Sequence, residues 1–196
     1  MTADYAPSSA LVVVDMQHDF ADPAGSLYVR GGEELVDPIA AEIAAAGEAG
    51  ATVVYTQDWH PAHTPHFQQD GGLWPVHCVA ESEGAALVPG LPVAGPLLRK
   101  GTGTEDGYSG FSEVDLATGA TKGTDLSTIL DEAGVMDVTV VGLAGDWCVK
   151  ATAIDGVRLG YTVTVPLALT RFVELEPGDT ERAVADMRAA GVTVVA

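Results

Sequence analysis

The 196-residue sequence predicts an α/β fold with a doubly wound, mostly parallel six-stranded sheet and helices on both faces. Three observations lead to this prediction. Short runs rich in β-branched residues alternate with segments of helical periodicity. No linker, internal repeat or low-complexity tract divides the chain. Hydrophobic residues make up 47% of the composition, which suits one well-buried core. We therefore expect a single domain over residues 1–196.

The predicted elements follow one another in order, and each predicted helix stops at a glycine. Thr124 and Asp125 are expected to cap the second helix, with Gly134 after its end. The strands are expected at Ala10–Val14, Ala51–Tyr55, Leu97–Arg99, Val138–Val141, Tyr161–Val165 and Val192–Val195. The helices are expected at Leu35–Gly50, Asp125–Ala133, Cys148–Gly160 and Asp179–Ala190.

The charge balance restricts the partners of this chain. With 9 Lys and Arg against 28 Asp and Glu, the net charge of −19 disfavours nucleic acid, anionic membranes and strongly anionic ligands. We expect a small, nearly neutral molecule instead, and a monomer or a homo-oligomer. No apolar run reaches about 20 residues, and the first residues lack the features of a signal peptide. These features predict a cytoplasmic protein whose two cysteines stay reduced.

Three reactive side chains follow three different predicted strands. Asp15 and Lys100 come directly after a strand, and Cys148 lies where a strand and its turn give way to a helix. The carboxyl ends of parallel strands meet at one edge of a sheet, so a shared site is expected. The helix dipole and a nearby Lys100 would lower the pKa of the thiol, and Asp15 could take its proton. Taken singly, the same residues also fit a buried cysteine, a capping aspartate and a surface lysine.

Four of the five histidines lie in the long loop that follows the second strand. Asp and His ligands in one loop suit a divalent transition metal with open positions, such as zinc, iron or manganese. His63 competes for a place among the ligands, and His18 lies apart as a structural or pocket-edge residue. Phe20 fits either the core or a pocket wall. The proposed ligands are Asp58, His60, His66 and His77.

These residues resemble those of nicotinamidases, also called pyrazinamidases, in the isochorismatase-like cysteine hydrolase superfamily. The resemblance covers nearly the whole chain. Several motifs in the right order make it specific. The matching stretches are Val14–Phe20, Gly25–Leu27, Asp58–His60, His66–Phe67, Trp74–Cys78, Lys100–Gly101, Tyr108–Phe111 and Gly142–Val149.

The resemblance implies the hydrolysis of nicotinamide to nicotinate and ammonia through a cysteine thioester, and of pyrazinamide to pyrazinoate. It implies a catalytic triad of Asp15, Lys100 and Cys148 and a cis peptide between Leu143 and Ala144. It further implies that one divalent metal, zinc first and iron or manganese as alternatives, orients the pyridine nitrogen. The remaining implied residues are the oxyanion hole of Ala144 and Cys148, the pocket walls Phe20, Trp74 and Tyr108, and the metal ligands Asp58, His60, His66 and His77.

Some positions depart from the family pattern. Gly145 stands where many relatives have Thr, Trp147 where His or Tyr is frequent, and His18 where Asn is common. His63 adds a ligand that the pattern does not use. These departures affect the expected pocket shape and pH dependence more than the reaction.

The rival interpretations of the function are an amidohydrolase for another small amide, a metal-dependent binding protein for small pyridines, and a structural zinc domain.

Overall fold

Six parallel strands form the central sheet of the protein, for which a computed structural model describes residues 4–103, 105–115 and 118–196. The strands of the described ranges are β1 (Ser9–Val14), β2 (Thr52–Asp58), β3 (Leu97–Lys100), β4 (Glu105–Asp106), β5 (Ser112–Asp115), β6 (Thr121–Gly123), β7 (Asp137–Gly142), β8 (Thr162–Pro166) and β9 (Thr193–Val195). In the central sheet they lie in the order β3-β2-β1-β7-β8-β9, and every neighbouring pair is parallel. The predicted fold class is confirmed.

Strand β1 lies in the middle of the sheet, and its two faces supply two hydrophobic cores. Leu11 and Val13 belong to one core, and Val12 and Val14 to the other. All four side chains are at most 1% exposed, so each contributes about 1.5–3 kcal/mol of burial free energy. The sheet is therefore covered on both sides, as its apolar sequence predicts.

The α-helices of the described ranges cover both faces of the sheet. The first core contains residues of α2, and the second contains residues of α3, α4 and α5. None of the helices in residues 4–103, 105–115 and 118–196 is both long and apolar enough to cross a membrane. The helices are α1 (His18–Ala21), α2 (Val36–Glu48), α3 (Leu126–Glu132), α4 (Cys148–Arg158) and α5 (Asp179–Ala189).

Two local predictions need correction. Strand β2 runs on to Asp58 instead of ending at Tyr55, because its last residues pair with β3, Asp58 opposite Lys100. At the start of α3, the side chain of Asp125 makes no capping hydrogen bond, and the Thr124 hydroxyl accepts the N–H of Leu126 at 3.2 Å instead.

A second, three-stranded antiparallel sheet of β4, β5 and β6 was not predicted. Its strands are two to four residues long and largely lack the buried apolar face by which a strand is recognised in sequence. This sheet supports the loop after β3, since Glu113 Oε1 accepts the N–H of Gly101 at 2.9 Å.

Candidate active site

Cys148 is the first residue of α4, as the sequence predicts, and follows the turn that leaves β7. The turn begins at Gly142, whose φ is +108° and where a Cβ would lie 2.2 Å from the carbonyl oxygen of Val14. Only glycine permits this close approach of β7 to β1. The peptide between Leu143 and Ala144 is cis, as predicted. The N–H groups of Ala144 and Cys148 donate no hydrogen bond to another described residue.

The structure brings Asp15, Lys100 and Cys148 together at the carboxyl edge of the sheet. Lys100 Nζ lies 2.9 Å from Asp15 Oδ2 and 3.5 Å from Cys148 Sγ, and it also contacts Asp58 Oδ1. The Thr56 hydroxyl donates to the other oxygen of Asp15 at 2.7 Å. All of these side chains are buried. Lys100 is thus not a surface lysine, and the Asp15 carboxylate contacts Lys100 and Thr56 instead of capping a helix.

Burial and charge shift the pKa of each group in this cluster. Burial raises the pKa of Asp15, although Lys100 opposes the change. Burial would lower the pKa of Lys100, but the carboxylates of Asp15 and Asp58 outweigh it and hold that pKa well above its usual range. Burial also raises the pKa of the Cys148 thiol well above its usual value, with Lys100 acting in the opposite direction. Lys100 thus favours the thiolate as expected, but burial outweighs it, so the net shift is opposite to the one expected and the thiol needs a base when it reacts.

His60, His66 and His77 form a second buried cluster, with ligand atoms within 4.8 Å of one another. The carbonyl oxygen of Gly101 lies 3.1 Å from His60 Nδ1, and that of Pro75 lies 2.7 Å from His77 Nδ1. A carbonyl only accepts hydrogen bonds, so each ring carries its proton on Nδ1 and leaves Nε2 as a free ligand atom. His60 Nε2 is buried and has no hydrogen-bond partner among the described residues. This arrangement fits a divalent metal.

Asp58 lies between the two clusters. Its Oδ2 is 3.7 Å from His60 Nε2 and 4.0 Å from His77 Nε2, while Oδ1 contacts Lys100. Burial favours a raised pKa for Asp58, but Lys100 and His60 outweigh it and lower that pKa. Burial lowers the pKa of His77 to about 4, which keeps this imidazole neutral near pH 7, the state that binds metals.

Two other histidines lie outside the cluster. The His63 side chain is 79% exposed and lies 3.2 Å from Asp70. His18 lies 3.7 Å from Asp22. Neither ring belongs to the group of potential metal ligands.

An aromatic pocket connects the two clusters. Phe20, Trp74 and Tyr108 line it, as the resemblance implies, together with Trp147. Trp74 Nε1 donates to the Tyr108 hydroxyl at 3.1 Å, and the rings of Trp74 and Trp147 meet edge-to-face at 4.8 Å. An aromatic and apolar lining with a few polar groups suits a small ring-shaped ligand. Sequence reasoning missed the apolar wall residues Leu27, Val29, Leu143 and Val173.

Sequence reasoning also missed two residues that hold this site in place. The side-chain amide of Gln17 accepts the N–H of Asp58 at 2.7 Å and donates to the Asp58 carbonyl at 2.7 Å. The carboxylate of Asp146 accepts the N–H groups of Val173 and Glu174 at 3.0 and 2.8 Å. Both lie within the matching stretches, and that position was the only signal for them in the sequence.

The protein has an α/β fold with a parallel β-sheet, and a buried cysteine lies beside a lysine and an aspartate at one edge of that sheet. These features define an α/β enzyme whose candidate nucleophile is a thiol. The isochorismatase domain family matches residues 9–196. The chain belongs to this family.

Relatives of known activity are similar over nearly the full chain. The nicotinamidase of Escherichia coli K12 is 35% identical over 206 residues, covering 96% of this chain and 94% of its own. The pyrazinamidase of Pyrococcus horikoshii, solved in complex with zinc, has a TM-score of 0.85 at 37% identity, covering 96% of this chain and 99% of its own. L. infantum PnC1, solved in complex with nicotinate, has a TM-score of 0.88 at 36% identity, covering 100% of this chain and 96% of its own.

Proposed function

We propose that the protein is a nicotinamidase that hydrolyses nicotinamide to nicotinate and ammonia, and pyrazinamide to pyrazinoate. One observation carries the proposal: the aromatic pocket is lined both by Cys148 and by His66 and His77, two members of the three-histidine cluster. A substrate for this pocket needs a carboxamide at one end and a metal-binding atom at the other. The names of the relatives support the same reaction.

The pocket walls would hold the substrate ring flat. Phe20 and Trp74 offer aromatic faces, and the Trp74 to Tyr108 hydrogen bond fixes two of the walls relative to each other. Asp58, His60, His66 and His77 would hold one divalent metal, zinc first and iron or manganese as alternatives. When bound there, the metal supplies a Lewis acid for the pyridine nitrogen and so orients the ring. The carboxamide carbon then lies against Cys148.

The first half of the reaction forms a thioester. Asp15 takes the proton of the Cys148 thiol, and Sγ attacks the carboxamide carbon. The N–H groups of Ala144 and Cys148 stabilise the oxyanion that develops. Asp15, whose pKa burial raises, then gives its proton to the amide nitrogen. The C–N bond breaks, and ammonia leaves. Lys100 stays between Asp15 and the thiol and compensates the negative charge that passes between them.

The second half of the reaction consumes water. Asp15 takes a proton from a water molecule, whose oxygen attacks the thioester carbon. The C–S bond breaks, the thiolate recovers the proton from Asp15, and nicotinate is released. The acid proton of the product passes to ammonia, so the sum is one nicotinamide and one water converted to nicotinate and ammonium.

The test is the release of ammonia from nicotinamide by the purified, metal-loaded protein. We expect turnover with nicotinamide and much less with benzamide, which has no ring nitrogen for the metal. Equal rates on both amides would contradict the proposed metal role and favour an amidohydrolase of different specificity. Nicotinamide binding without ammonia release by the folded, metal-loaded protein would identify a pyridine-binding protein instead.

A further inference from the structure

Asp19 has no part in the reaction proposed above, yet its carboxylate joins two segments that form the pocket. It lies in α1, and its Oδ2 accepts the N–H of Cys78 at 2.7 Å. Its Oδ1 accepts the N–H of Ser26 at 3.1 Å. One carboxylate therefore connects the loop after α1 to the loop that carries His77.

The bond to Cys78 fixes the backbone beside a proposed metal ligand. The N–H that Asp19 accepts belongs to the peptide between His77 and Cys78. Cys78 has a φ of +44°, a conformation that a residue other than glycine adopts only when its surroundings hold it there. The carbonyl of Cys78 in turn accepts the N–H of His60 at 3.0 Å. The backbone of two proposed ligands, His60 and His77, is thus connected through a residue that Asp19 holds.

On its other side, Asp19 fixes the apolar wall of the pocket. Its carbonyl oxygen accepts the N–H of Leu27 at 3.1 Å, next to the bond from Ser26. Leu27 and the neighbouring Phe20 both line the pocket, and the Phe20 ring lies 5.3 Å from that of His77.

Two glycines leave just enough room for this arrangement. A Cβ on Gly84 would lie 2.1 Å from Asp19 Oδ2, and one on Gly25 would lie 2.3 Å from the Asp19 carbonyl oxygen. A side chain on Gly84 would therefore displace the Asp19 carboxylate, and one on Gly25 would displace the Asp19 backbone.

We propose that Asp19 is a positioning residue that sets His77 for metal binding and Leu27 for substrate binding. The inference rests on the proposed metal site. Asparagine has the same shape, but its amide oxygen replaces only one of the two acceptor atoms, and its NH₂ group opposes the second N–H. Asp19→Asn therefore loosens one of the two segments without removing any group that touches the metal or the substrate.

The first measurement is a titration of metal-free protein with cobalt(II), followed by visible absorption, which needs no substrate and no turnover. We expect cobalt(II) to bind Asp19→Asn about tenfold more weakly, the lower end of the effect of groups that orient metal ligands. Asp22→Asn is the matched control, because Asp22 accepts a loop N–H, that of Ala24 at 2.7 Å, and does not line the pocket. Its cobalt affinity should stay within about twofold of the wild type.

The second measurement separates positioning from a general loss of structure. At saturating metal, we expect the KM of Asp19→Asn for nicotinamide to rise about three- to tenfold while kcat stays within about threefold. The reason is that the Asp19 carboxylate bonds to neither Asp15, Lys100 nor Cys148. If Asp19→Asn fails to fold, Gly84→Ala displaces the same carboxylate and should weaken cobalt binding in the same direction.

Wild-type cobalt affinity in Asp19→Asn, with the wild-type protein binding cobalt, would overturn this inference and leave the proposed function intact. Equal losses of affinity in Asp19→Asn and Asp22→Asn would also overturn it. A wild-type protein that binds no cobalt at all would overturn both the inference and the proposed metal site.

Discussion

Replacing Lys100 by methionine tests whether the buried charges near Cys148 depend on one another. Lys100 is 2% exposed, and Asp15 and Asp58 both contact its ammonium group. At an effective dielectric constant of about 20, opposite charges 2.9 Å apart attract by about 6 kcal/mol, which offsets the desolvation of the ions. Lys100→Met leaves two buried carboxylates without a cation. We expect the free energy of unfolding at pH 7.5 to fall by about 3–5 kcal/mol.

The loss should depend on pH in a defined direction. Lys100 is a main cause of the lowered pKa of Asp58, and it opposes the raised pKa of Asp15. Without it, burial raises both pKa values above the value of about 4 for an unfolded carboxyl group. The folded variant then binds protons more readily than the unfolded chain, so its stability relative to the wild type recovers as pH falls. The loss in free energy of unfolding that Lys100→Met causes should therefore be smaller at pH 5 than at pH 8.

The assay is urea unfolding of metal-free protein at several pH values, followed by far-UV circular dichroism. Lys150→Met serves as the control, because Lys150 lies 3.7 Å from Asp186 in a pair that is 30% and 61% exposed. The control should lose less than about 1 kcal/mol. A loss below about 1 kcal/mol in Lys100→Met, or a deficit that grows toward pH 5, would refute the reasoning.

Two further substitutions, each with a control substitution, test the nucleophile and the metal cluster. Cys148→Ala should abolish ammonia release from nicotinamide. Cys78→Ala should retain it, because Cys78 does not line the pocket. A Cys148→Ala variant that keeps wild-type turnover would exclude the thioester. Gly101→Ala places a Cβ 2.5 Å from the His60 ring at a φ of +65°, so it should weaken zinc binding by at least about tenfold in a chelator competition. Gly134→Ala has nearly the same φ, +69°, and no atom within 4 Å of its Cβ, so it should lose about 1 kcal/mol of stability and no zinc affinity.

Much of the fold could be predicted because each strand and helix carries its own local pattern. The apolar run of β1 and the glycine that stops each predicted helix are visible without any knowledge of the partners. The small sheet of β4, β5 and β6 could not be predicted, since pairing and not composition holds its short strands together. The extension of β2 to Asp58 has the same cause, because its last residues depend on β3.

Part of the candidate site could also be predicted from the sequence, and part could not. The strand-end rule was sufficient to expect Asp15, Lys100 and Cys148 at one edge, and the spacing of the histidine loop was sufficient to expect a metal cluster. The sequence did not reveal the position of Asp58, whose two carboxylate oxygens face different clusters. Trp147 was expected to affect the shape of the pocket, but its edge-to-face contact with Trp74 was hidden, because Trp74 lies far away in the chain.

The sequence by itself determined the class of fold, the reactive residue types and the loop from which a metal can be bound, because these follow from local periodicity and from the chemistry of single side chains. Only the tertiary structure decided the protonation of those side chains and the distances between them. The raised pKa of Cys148 follows from burial, and the contacts of Asp19 join segments 59 residues apart. Burial and long-range contacts exist only once the chain has packed, so no window of sequence can report them.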